Sequence, residues 1–307
     1  MALTYNEINS VTEKYFHPKL VDNIFTSNTL LSRAKSKGWL QTIDGGEKIL
    51  IPLAYATTTA GGWYSGSESL NTSNNDQVTA AEFDWKFDYA NVTITRGDEL
   101  KNSGKAQMVN LVKAKVQLAE KTLSDSIGTG LYNDGSTLAK AIVGLRLAVD
   151  SAGTYAGISR TTYSWWAAQE DSTTTALSIG LMQGLMGDCT QGSSKPSVIT
   201  TTQDIFDDLF GLLQPLQRYT DSKTADAGFQ NLMFAGTPVI VDNHCPASHM
   251  FFLNEDYIHL LVHKDENFRF EPFQKPINQN VSCAKVYVAL ALAISNCRMH
   301  AKLGAIA

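Results

Sequence analysis

Long apolar runs are missing from this sequence. The longest, residues 286–294, falls well short of the roughly 18 residues a membrane-spanning helix needs, so none is expected. The opening residues 1–7 (MALTYNE) lack a basic stretch followed by an apolar core, which argues against a secretory signal and for a chain made in a cytoplasm. Cysteine is scarce: Cys189, Cys245, Cys283 and Cys297 are far apart with no CxxC spacing. In a reducing compartment they read as free thiols. A basic excess is missing too. Lys and Arg total 25 against 30 Asp and Glu, a formal net charge of -5, which does not fit a protein that grips nucleic acid.

Signatures of chemistry are equally sparse. No GKS or GKT follows a glycine-rich turn, so no phosphate loop is read. His244, Cys245 and His249 have spacing that could hold a metal, but a second ligand pair at structural-zinc spacing is lacking and Pro246 and Ser248 mark a turn. Cys189 has no base placed beside it, and reads as a plain loop or buried thiol. Asp207 and Asp208 are adjacent, so on a helix they point about 100° apart and form a solvated face, not a shared site. An enzyme of mixed α/β texture would need convergent titratable groups, and the six histidines lie mostly in the C-terminal third with no partner motif. No catalytic residue, cofactor or metal is predicted.

What is present is a chain of 307 residues, 43% hydrophobic and 18% charged, enough for one large core or two modest ones. Residues 1–45 read as an arm. Leu20, Val21, Ile24 and Phe25, then Leu30, Leu31 and Ala34, repeat at helical spacing, with polar residues between the bursts. A hairpin follows over residues 48–95. Its first strand carries Pro52, which marks an edge or bulged strand. In the returning strand Phe83, Trp85, Phe87 and Tyr89 alternate with Asp84, Lys86 and Asp88, and Val92 and Ile94 continue on even positions. This predicts a half-buried strand with a register change at Ala90-Asn91. The connecting loop, residues 57–78, is rich in Gly, Ser, Thr and Asn and holds Trp63 and Tyr64. Loops of this length are usually functional, and large aromatics on one need a partner.

A long helix comes next, over residues 104–131. Val109, Val112, Val116, Ala119, Leu123, Ile127 and Leu131 form its apolar stripe, and Gly128, Gly130 and residues 133–135 are read as its end. Its length would be about 40 Å. Beyond residue 136 helices and strands mix without regular alternation: a helix over 177–187, a strand from 198, a helix over 203–213 ended by Pro215, then strands in 230–242, 250–254, 257–262, 268–273 and 284–296. That pattern is α+β. Trp165 and Trp166 are expected to pack beneath the later domain, with interface contact as the alternative.

The order of these elements resembles the Hong Kong 97-type major capsid protein family. The most specific stretches are residues 47–53 (EKILIPL), 157–166 (GISRTTYSWW), 234–242 (FAGTPVIVD) and 252–263 (FLNEDYIHLLVH). The resemblance implies an α+β capsid fold with an N-terminal arm (1–45), an E-loop hairpin (46–96), a peripheral domain with a spine helix (97–175), an axial domain (176–272) and a return to the peripheral domain (273–307). It implies the icosahedral shell of a tailed double-stranded DNA bacteriophage, assembled from hexamers and pentamers in the host cytoplasm and located in the virion. Expected partners are other copies of the chain, a separate scaffolding protein, a portal protein and a decoration protein. DNA would be enclosed without sequence-specific binding, and no membrane is involved. Trp63, Tyr64, Glu68, Phe83, Trp85 and Phe87 are the expected subunit contacts. Some family members crosslink a loop lysine to a neighbour's asparagine; residues 57–78 contain no lysine, so non-covalent contacts or a cementing protein are expected instead. The alternative within the same fold is an encapsulin-like nanocompartment shell.

Overall fold

A computed structural model describes residues 28–101, 111–213 and 232–306. In chain order the first elements are α1 (Thr29–Lys37), β1 (Leu40–Ile43), β2 (Ile49–Ala54), β3 (Val78–Phe83), β4 (Lys86–Thr95), α2 (Arg96–Lys101), α3 (Leu111–Leu131), α4 (Leu145–Ala148), β5 (Thr154–Tyr155), β6 (Ile158–Ser159) and β7 (Gln169–Asp171). Then come α5 (Ile179–Asp188), β8 (Val198–Thr201), α6 (Gln203–Leu213), β9 (Met233–Phe234), β10 (Thr237–Val241), β11 (Met250–Leu253), β12 (Ile258–His263), β13 (Arg269–Gln274), β14 (Val281–Ile294) and β15 (Ala301–Leu303). The mixed α+β texture read from the sequence is what the chain adopts. Of the arm, residues 1–27 lie outside the described residues.

Two sheets organise the molecule. The first runs β1-β12-β14-β13, with β4 also paired along β14. The second runs β7-β15-β11-β8-β10-β9. Helix α3 covers the first sheet: Ala119, Leu123, Ile127 and Leu131 are buried with Val92 of β4 and Val286, Val288 and Leu290 of β14. The expected stripe of the long helix is therefore correct over its described part, with Val116 half-buried at the edge of the core. Val109 and the side chain of Val112 lie outside what the structure describes. The second sheet packs against α5 and α6 through Met182, Leu185, Ile205, Leu209, Ile199 and Val239. Strand β11 joins the two cores: Phe251 and Leu253 face the first, Met250 and Phe252 the second. This is the period-two alternation of a strand buried on both faces.

Three local readings are corrected. First, β4 pairs with β14 from Lys86↔Leu290 to Thr95↔Val281 without a shift, so no register change occurs at Ala90-Asn91. The break falls at Asp84-Trp85, between β3 and β4. Phe83 closes the hairpin ribbon opposite Ile49 and packs edge-on to Tyr155, while Trp85 turns aside to donate to the Gly46 carbonyl at 2.9 Å. Second, Gly128 and Gly130 do not end α3, which runs through them to Leu131. A Cβ on Gly130 would come 2.9 Å from the Ile142 side chain, so these glycines serve close packing. The left-handed turn falls later, at Gly135 with φ 79°. Third, Trp166 is buried in the first core, donating to the Tyr155 carbonyl at 3.1 Å. It supports the root of the hairpin, not the later domain.

Candidate assembly surface

The hairpin is firmly rooted and its tip is bare. Strands β2 and β3 pair over six positions, with Pro52 opposite Ala80 on a two-stranded ribbon whose outer edges tolerate a missing N–H. Lys48 and Glu82 form an exposed ion pair at 2.8 Å near its base. Tyr55 stacks on Trp165 with ring centroids 5.4 Å apart, and the Glu82 N–H donates to the Ala156 carbonyl at 3.0 Å. The Ala156 carbonyl belongs to the β5–β6 hairpin, whose turn places Ala156 and Gly157 at φ 52° and 80°. Tyr55, Trp165 and this turn clamp the ribbon to the body.

Beyond Tyr55 the loop makes its own hydrogen bonds. Asn75 donates to the Thr57 carbonyl at 3.3 Å, and Asn71 accepts from the Ser73 N–H at 3.0 Å. Short Asn and Ser side chains thus satisfy backbone that no sheet covers. Trp63 is 105% exposed and Tyr64 67%, with Glu68 and Leu70 also in solvent. Among the described residues nothing covers the bare aromatics of this isolated hairpin.

The expected contact residues therefore separate. Trp63, Tyr64, Glu68 and Phe87 are open to solvent. Phe83 is buried in the chain's own first core and Trp85 is half-buried, its ring edge-on to His263 at 5.4 Å. Neighbouring residues that sequence reasoning missed share the face of Phe87. Tyr89 is 63% exposed, its ring lies 6.4 Å from Tyr287, and the Arg269 guanidinium sits over Tyr287 at 5.6 Å. The signal was the alternation itself: once β4 is one uninterrupted strand, Phe87 and Tyr89 must point away from the face that buries Ala90 and Val92.

Titratable groups elsewhere serve the interior. Lys302 is buried, with its Nζ 3.2 Å from Asp150, 3.0 Å from Glu170 and 3.3 Å from the Arg146 carbonyl, tying β15 and β7 to the segment after α4. Burial alone would raise the Asp150 carboxyl, but the Ala152 N–H, Lys302 and Arg160 together hold it below its ordinary value. Burial pushes the thiols of Cys189 and Cys297 up to about 12, which leaves them inert as nucleophiles. Among the described residues no group of three or more His, Cys, Asp or Glu side chains is placed to hold a metal ion. No described helix is long and apolar enough to cross a membrane.

No family model and no curated protein matches the sequence. Solved structures do match the fold. The capsid asymmetric unit of Cyanophage A-1(L) superposes with a TM-score of 0.73 over 99% of both chains at 20% identity. This chain has the Hong Kong 97-type capsid fold. The same fold links it to the capsid of the native GTA particle, with a TM-score of 0.66 at 10% identity over 97% of this chain and 96% of that one. It also matches the holo-SrpI encapsulin of Synechococcus elongatus, with a TM-score of 0.62 at 8% identity over 100% and 96%. Capsid-fold chains can thus share nearly every element while sharing few residues, because burial pattern and topology constrain them more than side-chain identity does.

Proposed function

We propose that this chain is a major capsid protein that self-assembles into the icosahedral head of a tailed double-stranded DNA bacteriophage. The observation that carries the proposal is end-to-end agreement with a cyanophage capsid chain, 99% of each, without a large inserted or missing domain. The rooted hairpin with a bare aromatic tip supports it, since a shell subunit must reach its neighbours. On this reading residues 46–96 are the E-loop, α3 is the spine helix of a peripheral domain (97–175), 176–272 form the axial domain, and 273–307 return to the peripheral sheet. Two cores, one around α3 and one around α5 and α6, support two domains. The cores do not follow those bounds throughout, since β12 pairs with β14 in the first sheet and β15 with β11 in the second. Residues 1–45 are the arm. Trp63, Tyr64, Glu68 and Phe87 are the contacts between copies in hexamers and pentamers. Assembly takes place in the host cytoplasm with a scaffolding protein and a portal, a decoration protein adds to the finished head, and the slightly acidic chain encloses DNA without reading it.

Electron microscopy and sedimentation of the full chain, expressed alone and with scaffold genes, test the proposal. Closed megadalton particles are expected. A small monodisperse species under crowding and with every neighbouring head gene present refutes it. The second reading, an encapsulin-like compartment, rests on the match to an encapsulin at a TM-score of 0.62. Particles that package an enzyme and fail to join a portal would favour it over the phage head.

A further inference from the structure

One cleft in the body matches the bare tip of the hairpin. It has a volume of about 410 Å3 and opens between the start of β4, the last turns of α3 and residues 137–142. Phe87, Ile127, Leu138 and Ile142 make it mainly apolar, and Phe87 and Leu138 are 73% and 44% exposed. Its wall is held in place. Buried Asn133 donates to the carbonyls of Leu138 and Ile142, each at 3.0 Å. The bare backbone of Gly130 lets the Ile142 side chain lie where a Cβ would come within 2.9 Å of it. A preformed apolar cleft needs little reordering to receive a side chain.

Charge identifies the segment that the cleft fits. Lys86 and Lys140 line it, and among the described residues neither meets a carboxylate. Asp88, the acid that also lines it, already accepts the Tyr89 N–H at 2.9 Å. The tip has the opposite character. In residues 57–78 the charged side chains are Glu68 and Asp76 alone, and among the described residues neither has a cation beside it. Bare aromatics followed by two unpaired acids therefore complement an apolar cleft with two unpaired cations. The tip that fits belongs to another copy. Lys86 puts the cleft at the hairpin's root, and six paired residues of β3 at about 3.3 Å each set the loop roughly 17–20 Å away, with Trp63 in solvent.

We propose that this cleft receives the hairpin tip of a second copy, with Trp63 entering beside Phe87, Leu138 and Ile142 while Glu68 and Asp76 meet Lys86 and Lys140. The docking rests on the reading of the chain as a shell subunit, and it names the surface that each hairpin grips. An aromatic anchor in a fixed pocket supplies the energy of such a contact, and the charges at its rim set register and partner.

Charge reversal in the full chain tests the match. Lys86→Glu with Lys140→Glu, and separately Glu68→Lys with Asp76→Lys, are each expected to raise the assembly threshold about tenfold or more, because like charges then face each other. The chain carrying all four changes is expected to assemble within about threefold of the wild-type threshold, since every pair is again opposite in sign. A cysteine pair gives a second readout. Tyr64→Cys with Leu138→Cys is expected to link copies on oxidation into multiples of 33.5 kDa, whereas Tyr64→Cys with Asp207→Cys, on α6, stays a single band. A quadruple variant as impaired as either pair, or a Tyr64–Leu138 pair that links no better than the control, overturns the docking while wild-type particles keep the shell reading. A rim reversal that acts only by losing a scaffolding or decoration protein overturns it as well. A wild-type chain that forms no particles overturns the shell reading, and the docking with it.

Discussion

Replacing both tip aromatics, Trp63→Ala with Tyr64→Ala, separates folding from assembly. In the isolated subunit Trp63 is 105% exposed and Tyr64 67%, so the substitutions remove almost no burial. Their effect on unfolding should stay within about 0.5 kcal/mol, the range for surface changes. If the tip docks on another copy, the same rings become buried aromatic anchors, and losing an anchor costs about 2 kcal/mol or more per contact. At about 1.4 kcal/mol per tenfold, that raises the concentration needed for assembly by about thirtyfold for each contact weakened. Light scattering against subunit concentration reads the threshold, and chemical denaturation of the unassembled subunit reads the fold. A variant that assembles at the wild-type threshold would refute the role given to the tip. A variant that unfolds early would show that these rings are covered within their own subunit.

Two predictions concern the interior. Leu123→Ala, at a position only 1% exposed between α3 and the first sheet, should destabilise the subunit by about 3–4 kcal/mol, read from the denaturation midpoint at unchanged slope. A cost below about 1 kcal/mol would mean that α3 does not pack as described. His300 is fully buried, and burial lowers its pKa to about 3. The unfolded chain therefore takes up a proton that the folded one refuses, so stability falls as pH drops below about 6.5 and the loss is complete near the folded value. At pH 5 this amounts to about 2 kcal/mol. His300→Gln should remove that part of the acid slope, and a variant with the full wild-type slope would exclude His300 as its source.

Much of this architecture was legible because it follows from burial. The helix over 203–213 was read at the bounds it adopts, since Ile205 and Leu209 fall one turn apart with Asp207 and Asp208 in solvent. The hairpin was legible from Pro52, the turn-rich loop and the return of alternation after it. The errors came where one pattern serves two purposes. Phe83, Trp85, Phe87 and Tyr89 alternate as one strand would, yet the first closes a ribbon, the second bends the chain, and the last two face solvent. Local periodicity cannot show that change of partner. Gly128 and Gly130 looked like a helix end because glycine often is one, whereas here the missing Cβ makes room for Asn28, His244 and Ile142 from distant parts of the chain. The contacts of His244 with Asp125 and Asp242 bridge 119 residues of sequence for the same reason, and no spacing rule reaches across that gap.

The absence of lysine from residues 57–78 has a consequence at the level of the whole particle. An amide crosslink from the tip would need an amine there. The lysines that flank the loop are Lys48, at the hairpin's root with its Nζ held by Glu82 at 2.8 Å, and Lys86 at the start of β4. Disulfide links are equally disfavoured, because Cys189, Cys245 and Cys297 are buried, leaving only the half-buried Cys283 with any access. A shell of this subunit should therefore be held by many modest contacts, whose sum is large although each is weak. Purified particles heated in detergent without reducing agent are expected to give a single band at the subunit mass, 33.5 kDa. A ladder of multiples that survives heating would show a covalent network, and would place its reactive groups outside the hairpin tip.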